Sequence, residues 1–528
     1  MMDKSSTNGG APMPFLNMGR DTYQVPVSLF ETNRATVLEA LKAQNVTDGW
    51  IYVNGGTSET RYDSDHEPLF RQESYFWYLW GVPDADCAGL ISLQTGHAIL
   101  LVPELPPDYA TIMGRIRSPE EWKAKHGVNA VRYTNQLDQI IREGEESPKV
   151  HCLEGRNSDS DSLYKAPLET ITSLMKHGFH VDTDILFPVV ANSRVFKSEA
   201  ELSLLRHVSE LTSFAHAYVM RNTTPGMSEY QSESLFRHYC YYNYGCRLVG
   251  YTPICGCGPN AAILHYGHTG EPNARLIEDG QMCLYDMGAE YCGYGSDITC
   301  SFPVSGTFTP AQRIVYEGVL AAQVAVYDMA QPGVSFVDCH KRAELEILKA
   351  LVKLDIVVPN GTPLEDLVEM RLGAVFMPHG LGHLIGIDTH DVGGYLEDCP
   401  PRIMQPGLKS LRTSRVLQEK MTLTVEPGCY FITHLIHEAL DPSNSLSAYL
   451  NKDVLLNYIG FGGVRLEDVI EIIPGGVVNY TVCPRTVAEV EHVVQGGKWP
   501  PTQDEAPELC RTRLLSTHTS CLPSPPSI

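Results

Sequence analysis

The chain has 528 residues, which is too long for one hydrophobic core, so we expect two domains. Hydrophobic residues make up 43% of the chain and charged residues 20%, a composition that excludes a fibrous or largely disordered protein. The formal net charge of −23, with no dense stripe of Lys and Arg, excludes nucleic acid and anionic membranes as main partners.

The sequence also indicates a cytoplasmic protein. Its first fifteen residues contain no apolar run of signal-peptide length, and no later stretch approaches the roughly 18–20 apolar residues of a membrane-spanning helix. The fifteen cysteines lack the dense spacing of a small secreted domain, so we interpret them as reduced and mostly structural.

The first part of the chain alternates helical and strand patterns. The segment SLFETNRATVLEALKAQ predicts a helix, whereas GWIYVNGG and HAILLVPEL predict strands. Such alternation is typical of an α/β layer fold. The motifs rich in Gly, His and acids all follow about residue 250. We therefore predict an N-terminal α/β domain over 20–185 and a catalytic domain over 195–495.

Two capping boxes predict the starts of long helices in the second domain. Ser198 and Glu201 form the first, ahead of an apolar stripe with helical spacing. Thr309 and Gln312 form the second, with a proline at the first helical position. The final segment, 497–528, is rich in Pro, Ser and Thr without an apolar period, which predicts a flexible tail.

Four features recur in the same order in both halves of the second domain. The first is a PG-x-S motif between two helices (PGMS, then PGVS), and the second is a His-Gly cluster (HYGH, then HGLGH). A strand ending in an acid follows, Asp286 or Glu426, and then a later acid, Asp297 or Glu467. PG-x-S alone marks only a helix stop and restart. The ordered match predicts a degenerate duplication whose halves build one pseudo-twofold site.

The acids in these β segments point to divalent cations. Asp286 and Asp297 lie 11 residues apart in a hairpin pattern, which puts both side chains on one face. Buried acids repel one another unless cations compensate them. Four carboxylates and one imidazole suit two metals about 3.5–4 Å apart, and oxygen donors favour Mn²⁺, Co²⁺ or Zn²⁺. His379 and His383 have the spacing of a zinc-protease pair, but the catalytic Glu of H-E-x-x-H is absent, so we reject that class.

A set of motifs makes this interpretation more specific: LYDMG, GSDIT, MPHGLGHLIGIDTHDVGGY, GLKSLRTSR, LTVEPG and GGVRLED. Together they resemble the prolidases, the Xaa-Pro dipeptidases of the pita-bread metallopeptidase family, over about residues 23–492. The resemblance implies an N-terminal α/β domain followed by a pita-bread catalytic domain, a homodimer, and two divalent metal ions, most often Mn²⁺. The metal ligands that it implies are Asp286, Asp297, His383, Glu426 and Glu467.

The resemblance also implies how a dipeptide with a C-terminal proline is hydrolysed. A hydroxide held between the metals attacks the scissile carbonyl, and Glu426 moves a proton from that water to the proline nitrogen. His390, with His379 as a second candidate, stabilises the oxyanion. His265 and His390 contact the dipeptide, and Arg412 holds the proline carboxylate. A longer peptide would move its carboxylate away from Arg412.

Two other functions remain open. An aminopeptidase P-like Xaa-Pro aminopeptidase, which acts on longer peptides, shares the fold and all five ligand types. HYGH and GLKSLRTSR, which carries Arg412, favour the dipeptidase. A catalytically inactive pita-bread binding scaffold usually lacks one or more ligands, and this sequence retains all five types.

Three further positions carry open interpretations. Tyr251 is either an aromatic wall for the proline ring or a core tyrosine. Arg465 is expected, by resemblance, to orient Glu467 or another acid. Residues 248–250 (Leu-Val-Gly) depart from the small or polar residues expected there, which would alter the preference for the residue before proline if this loop lines the site.

Overall fold

The structure, a computed structural model, describes residues 14–144, 149–267 and 273–512. The chain divides into two compact units, of which the first comprises Met1–Asn157 and Asp161–Ser193, and the second Ser158–Ser160 and Arg194–Ile528. The division near 193 lies in the gap between the two predicted domains. Ser158–Ser160 groups with the second unit although its chain neighbours group with the first, which the sequence gives no reason to expect.

The first unit is an α/β structure. The helices that begin in it are α1 (Ser28–Ala43), α2 (Ser74–Trp80), α3 (Tyr109–Met113), α4 (Pro119–His126), α5 (Leu137–Gly144), α6 (Leu168–Lys176) and α7 (Leu186–Val195). Its strands are β1 (Phe15–Leu16), β2 (Val25–Pro26), β3 (Trp50–Asn54), β4 (Ala88–Ser92), β5 (Ala98–Val102), β6 (Ala130–Tyr133), β7 (Lys149–Cys152), β8 (Glu154–Arg156), β9 (Leu163–Lys165) and β10 (His180–Asp182).

A mixed six-stranded sheet, in the order β10-β7-β3-β4-β5-β6, forms the centre of this unit. Strand β3, predicted from GWIYVNGG, pairs antiparallel with β4 and parallel with β7. The predicted strand in HAILLVPEL is β5, and the predicted first helix is α1. Trp50, Leu90, Leu101 and Val150 lie in the buried core of the sheet. These elements confirm the predicted α/β layer fold.

The second unit carries the acids and histidines singled out above. Its helices are α8 (Glu199–Asn222), α9 (Glu229–Tyr244), α10 (Pro310–Met329), α11 (Phe336–Lys353), α12 (Leu364–Glu369), α13 (Gly373–Phe376), α14 (Thr433–Ala439), α15 (Lys452–Leu456) and α16 (Val487–Val494). Its strands are β11 (Ile254–Cys257), β12 (Met282–Asp286), β13 (Glu290–Tyr291), β14 (Tyr294–Gly295), β15 (Thr299–Pro303), β16 (Thr422–Val425), β17 (Gly428–Tyr430), β18 (Gly463–Arg465), β19 (Asp468–Ile473) and β20 (Gly476–Asn479). Within 14–144, 149–267 and 273–512, no helix combines the length and apolar character that crossing a membrane requires.

The second unit consists of two similar halves, as the repeated motifs predict. Each half has two long consecutive helices, α8 with α9 and α10 with α11, and a three-stranded antiparallel sheet, β11-β12-β15 and β16-β19-β20. The capping boxes predicted at Ser198 and Thr309 begin α8 and α10. This arrangement confirms the predicted pita-bread fold with duplicated halves.

The segment from residue 497 onwards differs from the predicted flexible tail as far as residue 512. Arg221 donates a hydrogen bond to Gly497 O over 2.7 Å, and Trp499 Nε1 donates to Val482 O over 2.8 Å. Arg511 is only 2% exposed and forms an ion pair of 2.8 Å with Glu489. The prediction was wrong for these residues because polar side chains, rather than an apolar period, fix the segment. Residues 513–528 lie outside the described part of the chain.

Candidate active site

Four strand ends in two neighbouring sheets bring the predicted acids together. Asp286 ends β12, and Asp297 lies two residues before β15, which pairs antiparallel with β12. In the other half, Glu426 directly follows β16 and Glu467 directly precedes β19. A β-bridge between Thr299 and Glu467 joins the two sheets at this point. The duplicated halves therefore each contribute two carboxylates to one cluster.

His383 lies among these acids with its Nε2 atom facing them. Nε2 is 3.3 Å from Asp297 Oδ2, 3.5 Å from Glu426 Oε1 and 3.9 Å from Glu467 Oε1. The other ring nitrogen, Nδ1, lies 3.0 Å from Leu384 O, to which it can only donate. That hydrogen bond leaves the Nε2 lone pair directed at the carboxylates, which is the tautomer of a metal-binding histidine.

The donor atoms form three overlapping groups, of which two contain Glu467. Within each group, one oxygen or nitrogen atom per residue lies within 4.8 Å of the others: Asp286, Asp297 and Glu467 in one, and His383, Glu426 and Glu467 in the other. A third group joins Asp297, His383 and His390. Because Glu467 belongs to both of the first two groups, the arrangement fits two cations that share one carboxylate.

The pKa values of the clustered acids also indicate that cations belong at this site. Burial, followed by the charge of Asp297, raises the pKa of Asp286 to about 6. Burial also raises the pKa of Glu426 to about 7 and, with the charge of Asp297, raises that of Glu467 well above its usual value. Asp297 Oδ1 is buried without a hydrogen-bond partner in the described part of the chain. Divalent cations would remove both the repulsion and the unpaired oxygen, so the residues fit a two-metal centre.

Arg465 connects two of the acids, as the sequence interpretation expects. Its Nη2 donates to Asp286 Oδ2 over 2.6 Å, and its Nε donates to Thr299 Oγ1 over 3.0 Å. Thr299 Oγ1 in turn donates to Glu467 Oε2 over 2.7 Å. Arg465 therefore orients Asp286 directly and Glu467 through Thr299.

His379 lines the cavity of the site, and both of its ring nitrogens have polar neighbours. Its Nδ1 donates to Gly380 O over 2.7 Å, and its Nε2 lies 2.9 Å from the hydroxyl of Tyr430. Because Nδ1 carries the ring proton, Nε2 accepts from the tyrosine hydroxyl, which itself accepts a hydrogen bond from Arg465 Nη1 over 2.9 Å. Both ring nitrogens have partners in this arrangement, and Nδ1 also lies 3.9 Å from Glu426 Oε2, so His379 stays a predicted oxyanion-binding residue of this cavity.

Tyr251 contacts one acid of the cluster. Its hydroxyl donates a short hydrogen bond, 2.5 Å, to Asp286 Oδ1, so it orients this carboxylate. Residues 248–250 are absent from the described residues that line the cavity of the site. The Leu-Val-Gly sequence at 248–250 therefore gives no direct reason to expect an altered preference for the residue before proline.

A cavity of about 510 Å³ opens onto the donor cluster. Besides the five predicted metal ligands, its lining includes His265, His390 and Arg412, all three predicted to bind substrate. The ring centroid of His390 lies 4.5 Å from that of His383. Of the HYGH motif, His268 lies outside the described residues. The structure thus brings the metal-binding and substrate-binding candidates to one cavity.

Sequence reasoning missed several polar side chains that hold the acids in place. Thr424 Oγ1 accepts a hydrogen bond from the His383 backbone N–H over 3.1 Å and donates to Glu426 Oε1 over 3.3 Å. Arg485, which is 1% exposed, donates to Glu467 O over 2.6 Å and Thr299 O over 2.9 Å, and pairs with Asp468. A Thr within a strand or a lone Arg gives no periodic signal, so only the fold reveals these roles.

We expect Arg485→Ala to lower the free energy of unfolding by about 3–5 kcal/mol, since it leaves the fully buried carboxylate of Asp468 without its cation. Equilibrium urea unfolding measures the change. Arg313→Ala is the matched control, because Arg313 makes an exposed ion pair with Glu317 and should leave the free energy of unfolding close to the wild-type value. Equal effects of the two substitutions would contradict a structural role for Arg485.

Two family models match the chain: metallopeptidase family M24 over residues 203–474, and the aminopeptidase P N-terminal domain over residues 30–151. The Xaa-Pro dipeptidase of Homo sapiens is 46% identical over 487 residues, covering 92% of this chain and 96% of that protein. A probable Xaa-Pro aminopeptidase PEPP of Coccidioides posadasii is 34% identical over 465 residues, covering 87% of this chain and 96% of its own length.

Solved structures of aminopeptidases share the fold. The aminopeptidase PepP of Pseudomonas aeruginosa superposes with a TM-score of 0.72 at 26% identity, covering 89% of this chain and 98% of that one. Aminopeptidase P from E. coli with the inhibitor Pro-Leu gives a TM-score of 0.71 at 27% identity, with the same coverage. The similarity extends through both units.

Proposed function

Since this chain belongs to metallopeptidase family M24, we propose that it is an Xaa-Pro dipeptidase that hydrolyses dipeptides with a C-terminal proline. The observation that carries the proposal is one cavity lined by both the acid cluster and the guanidinium of Arg412. The scissile carbonyl of a dipeptide lies only a few atoms from its carboxylate, so both ends can be engaged together. Relatives named Xaa-Pro dipeptidase, 42–46% identical over 92% of the chain, support the choice.

We propose that two divalent metal ions, Mn²⁺ by resemblance to the prolidases, bind at the overlapping donor groups. The ligands are Asp286, Asp297, His383, Glu426 and Glu467. Oxygen-dominated donor sets suit Mn²⁺, and no cysteine belongs to any donor group that the described residues form. When bound, such ions polarise a carbonyl and bring the pKa of water towards neutrality.

The remaining steps fall to side chains of the cavity. Glu426 takes a proton from the attacking water and delivers it to the departing proline nitrogen. His390 donates a hydrogen bond to the oxygen of the former carbonyl, and His265 contacts the peptide. Arg412 binds the proline carboxylate through paired N–H donors, which fixes both the charge and the direction of the substrate.

Substrate length separates this proposal from an aminopeptidase P-like activity. With added Mn²⁺, we expect kcat/KM for Gly-Pro to exceed that for Gly-Pro-Gly by at least about tenfold, because only the dipeptide places its carboxylate at Arg412. Steady-state hydrolysis of both peptides under identical metal loading measures the ratio. Preference for the tripeptide would establish the aminopeptidase, and protein with two bound metals that cleaves neither would be a binding scaffold.

We further propose a cytoplasmic location and a homodimeric assembly. All fourteen cysteines within the described residues are free, and twelve of them are buried, which is the usual state of thiols in a reducing compartment. The homodimer rests on the resemblance to prolidases alone.

A further inference from the structure

Asp159 lines the same cavity as the metal donors but has no place in the mechanism described above. It lies in Ser158–Ser160, the short segment that groups with the second unit. Its Oδ1 accepts a hydrogen bond from Arg402 Nη2 over 3.2 Å, and its Oδ2 lies 3.6 Å from Arg412 Nη1. One carboxylate is thus shared by two arginines, of which one is the candidate for binding the substrate carboxylate.

Arg402 is held firmly enough to fix Asp159. Its guanidinium lies over the ring of Tyr395, 4.1 Å from the centroid. Its Nη1 donates to Leu411 O over 2.7 Å, and its Nη2 donates to Ser158 O over 3.2 Å. Arg402 therefore ties the segment that carries Asp159 to the residue that precedes Arg412.

The backbone of Arg412 is also fixed, whereas its side chain is only loosely engaged. A Cβ atom on Gly394 would lie 2.2 Å from Arg412 O, so the two backbones are in close contact. Within the described residues, the guanidinium of Arg412 donates no hydrogen bond, and its ion pair with Asp159 is 3.6 Å long. Asp159 can therefore set the direction of this side chain without occupying the N–H donors that a carboxylate would need.

We propose that Asp159 is a positioning residue that directs Arg412 towards the C-terminal carboxylate of the dipeptide. The proposal rests on the proposed dipeptidase function and deepens it. A long, flexible side chain loses rotamer freedom when it binds an anion, and restraint in the free enzyme reduces that cost. The lining of the cavity also includes Arg402, Lys409 and Arg412, three cationic side chains that can attract the carboxylate of the substrate.

The test compares Gly-Pro with Gly-Pro-amide, which lacks the carboxylate, using the full-length protein loaded with Mn²⁺. We expect Asp159→Asn to raise KM for Gly-Pro about fivefold with little change in kcat or metal content. Arg412→Ala should raise it about 10–100-fold. Neither substitution should change the affinity for Gly-Pro-amide, measured as KM or as an inhibition constant against Gly-Pro. In the double variant Asp159→Asn/Arg412→Ala, we expect the same KM for Gly-Pro as in Arg412→Ala alone.

Asp161→Asn is the matched control, because Asp161 lies two residues away and its side chain is 85% exposed. The proposal is overturned by an unchanged KM for Gly-Pro, or by an equal loss of affinity for the amide, which would indicate a general structural role. A lower KM would overturn it too, since Asp159 would then compete with the substrate. Failure of the wild-type protein to cleave Gly-Pro would instead remove the proposed function.

Discussion

Glu426→Gln should lower kcat for Gly-Pro by about 10³-fold, because the amide cannot carry the proton from the attacking water to the proline nitrogen. The substitution keeps the size of the side chain and one oxygen donor. Thr424 Oγ1 and His383, the nearest polar neighbours of Glu426, can still hold an amide at this position. We therefore expect KM and metal content to change much less than kcat.

Steady-state kinetics measure kcat and KM, and elemental analysis of the same preparation measures the metal content. Glu438→Gln is the matched control, because the Glu438 side chain is 66% exposed, and it should keep wild-type rates. If Glu426→Gln binds two metals and turns over at the wild-type rate, Glu426 is not the proton carrier. If instead the variant binds no metal, the principal role of Glu426 is that of a metal ligand.

Removal of the metal ions should abolish hydrolysis and lower the melting temperature. The folded chain gathers four acids, and burial raises the pKa of Asp286 to about 6 and that of Glu467 well above its usual value. Cations therefore bind this arrangement far better than they bind the unfolded chain. Dialysis against a chelator, followed by added Mn²⁺, should remove and then restore both activity and thermal stability.

Scanning calorimetry reports on the centre independently of turnover. Chelator already saturated with Ca²⁺ is the control for effects of the chelator itself. Protein that retains full activity with less than about one-tenth of a metal per chain would contradict the two-metal centre. An unchanged melting temperature would show that the cations contribute little to the stability of the folded state. In that case Arg465, which pairs with Asp286, would compensate part of the negative charge without them.

The acids of the site could be predicted because their chemistry is visible in short segments. Asp286 and Glu467 occur in apolar strand patterns, where an unpaired charge is costly, so a compensating cation follows from the sequence. The recurrence of the pattern in both halves then predicts that the segments meet. The resemblance predicts His383 as a ligand, whereas its tautomer is known only from the hydrogen bond to Leu384 O.

The missed features depend on contacts between distant parts of the chain. Asp159 and Arg412 are separated by more than 250 positions, and Asp159 lies in a loop without periodicity. The partners of the His379 ring nitrogens, Tyr430 and Gly380, are likewise a fact of local geometry that the sequence does not reveal. The segment before residue 512 is fixed by a few polar side chains, Arg221, Trp499 and Arg511, in a stretch whose composition is typical of a tail.

The shared position of Glu467 in both donor groups has a consequence for how the centre would fill. A carboxylate oriented by one ion is already placed for the other, while its charge is divided between them. The two binding equilibria are then linked, and each ion must alter the affinity of its neighbour by the same factor. The affinity for one metal ion would therefore depend on whether the other is bound, and residues from both halves of the duplication would determine it.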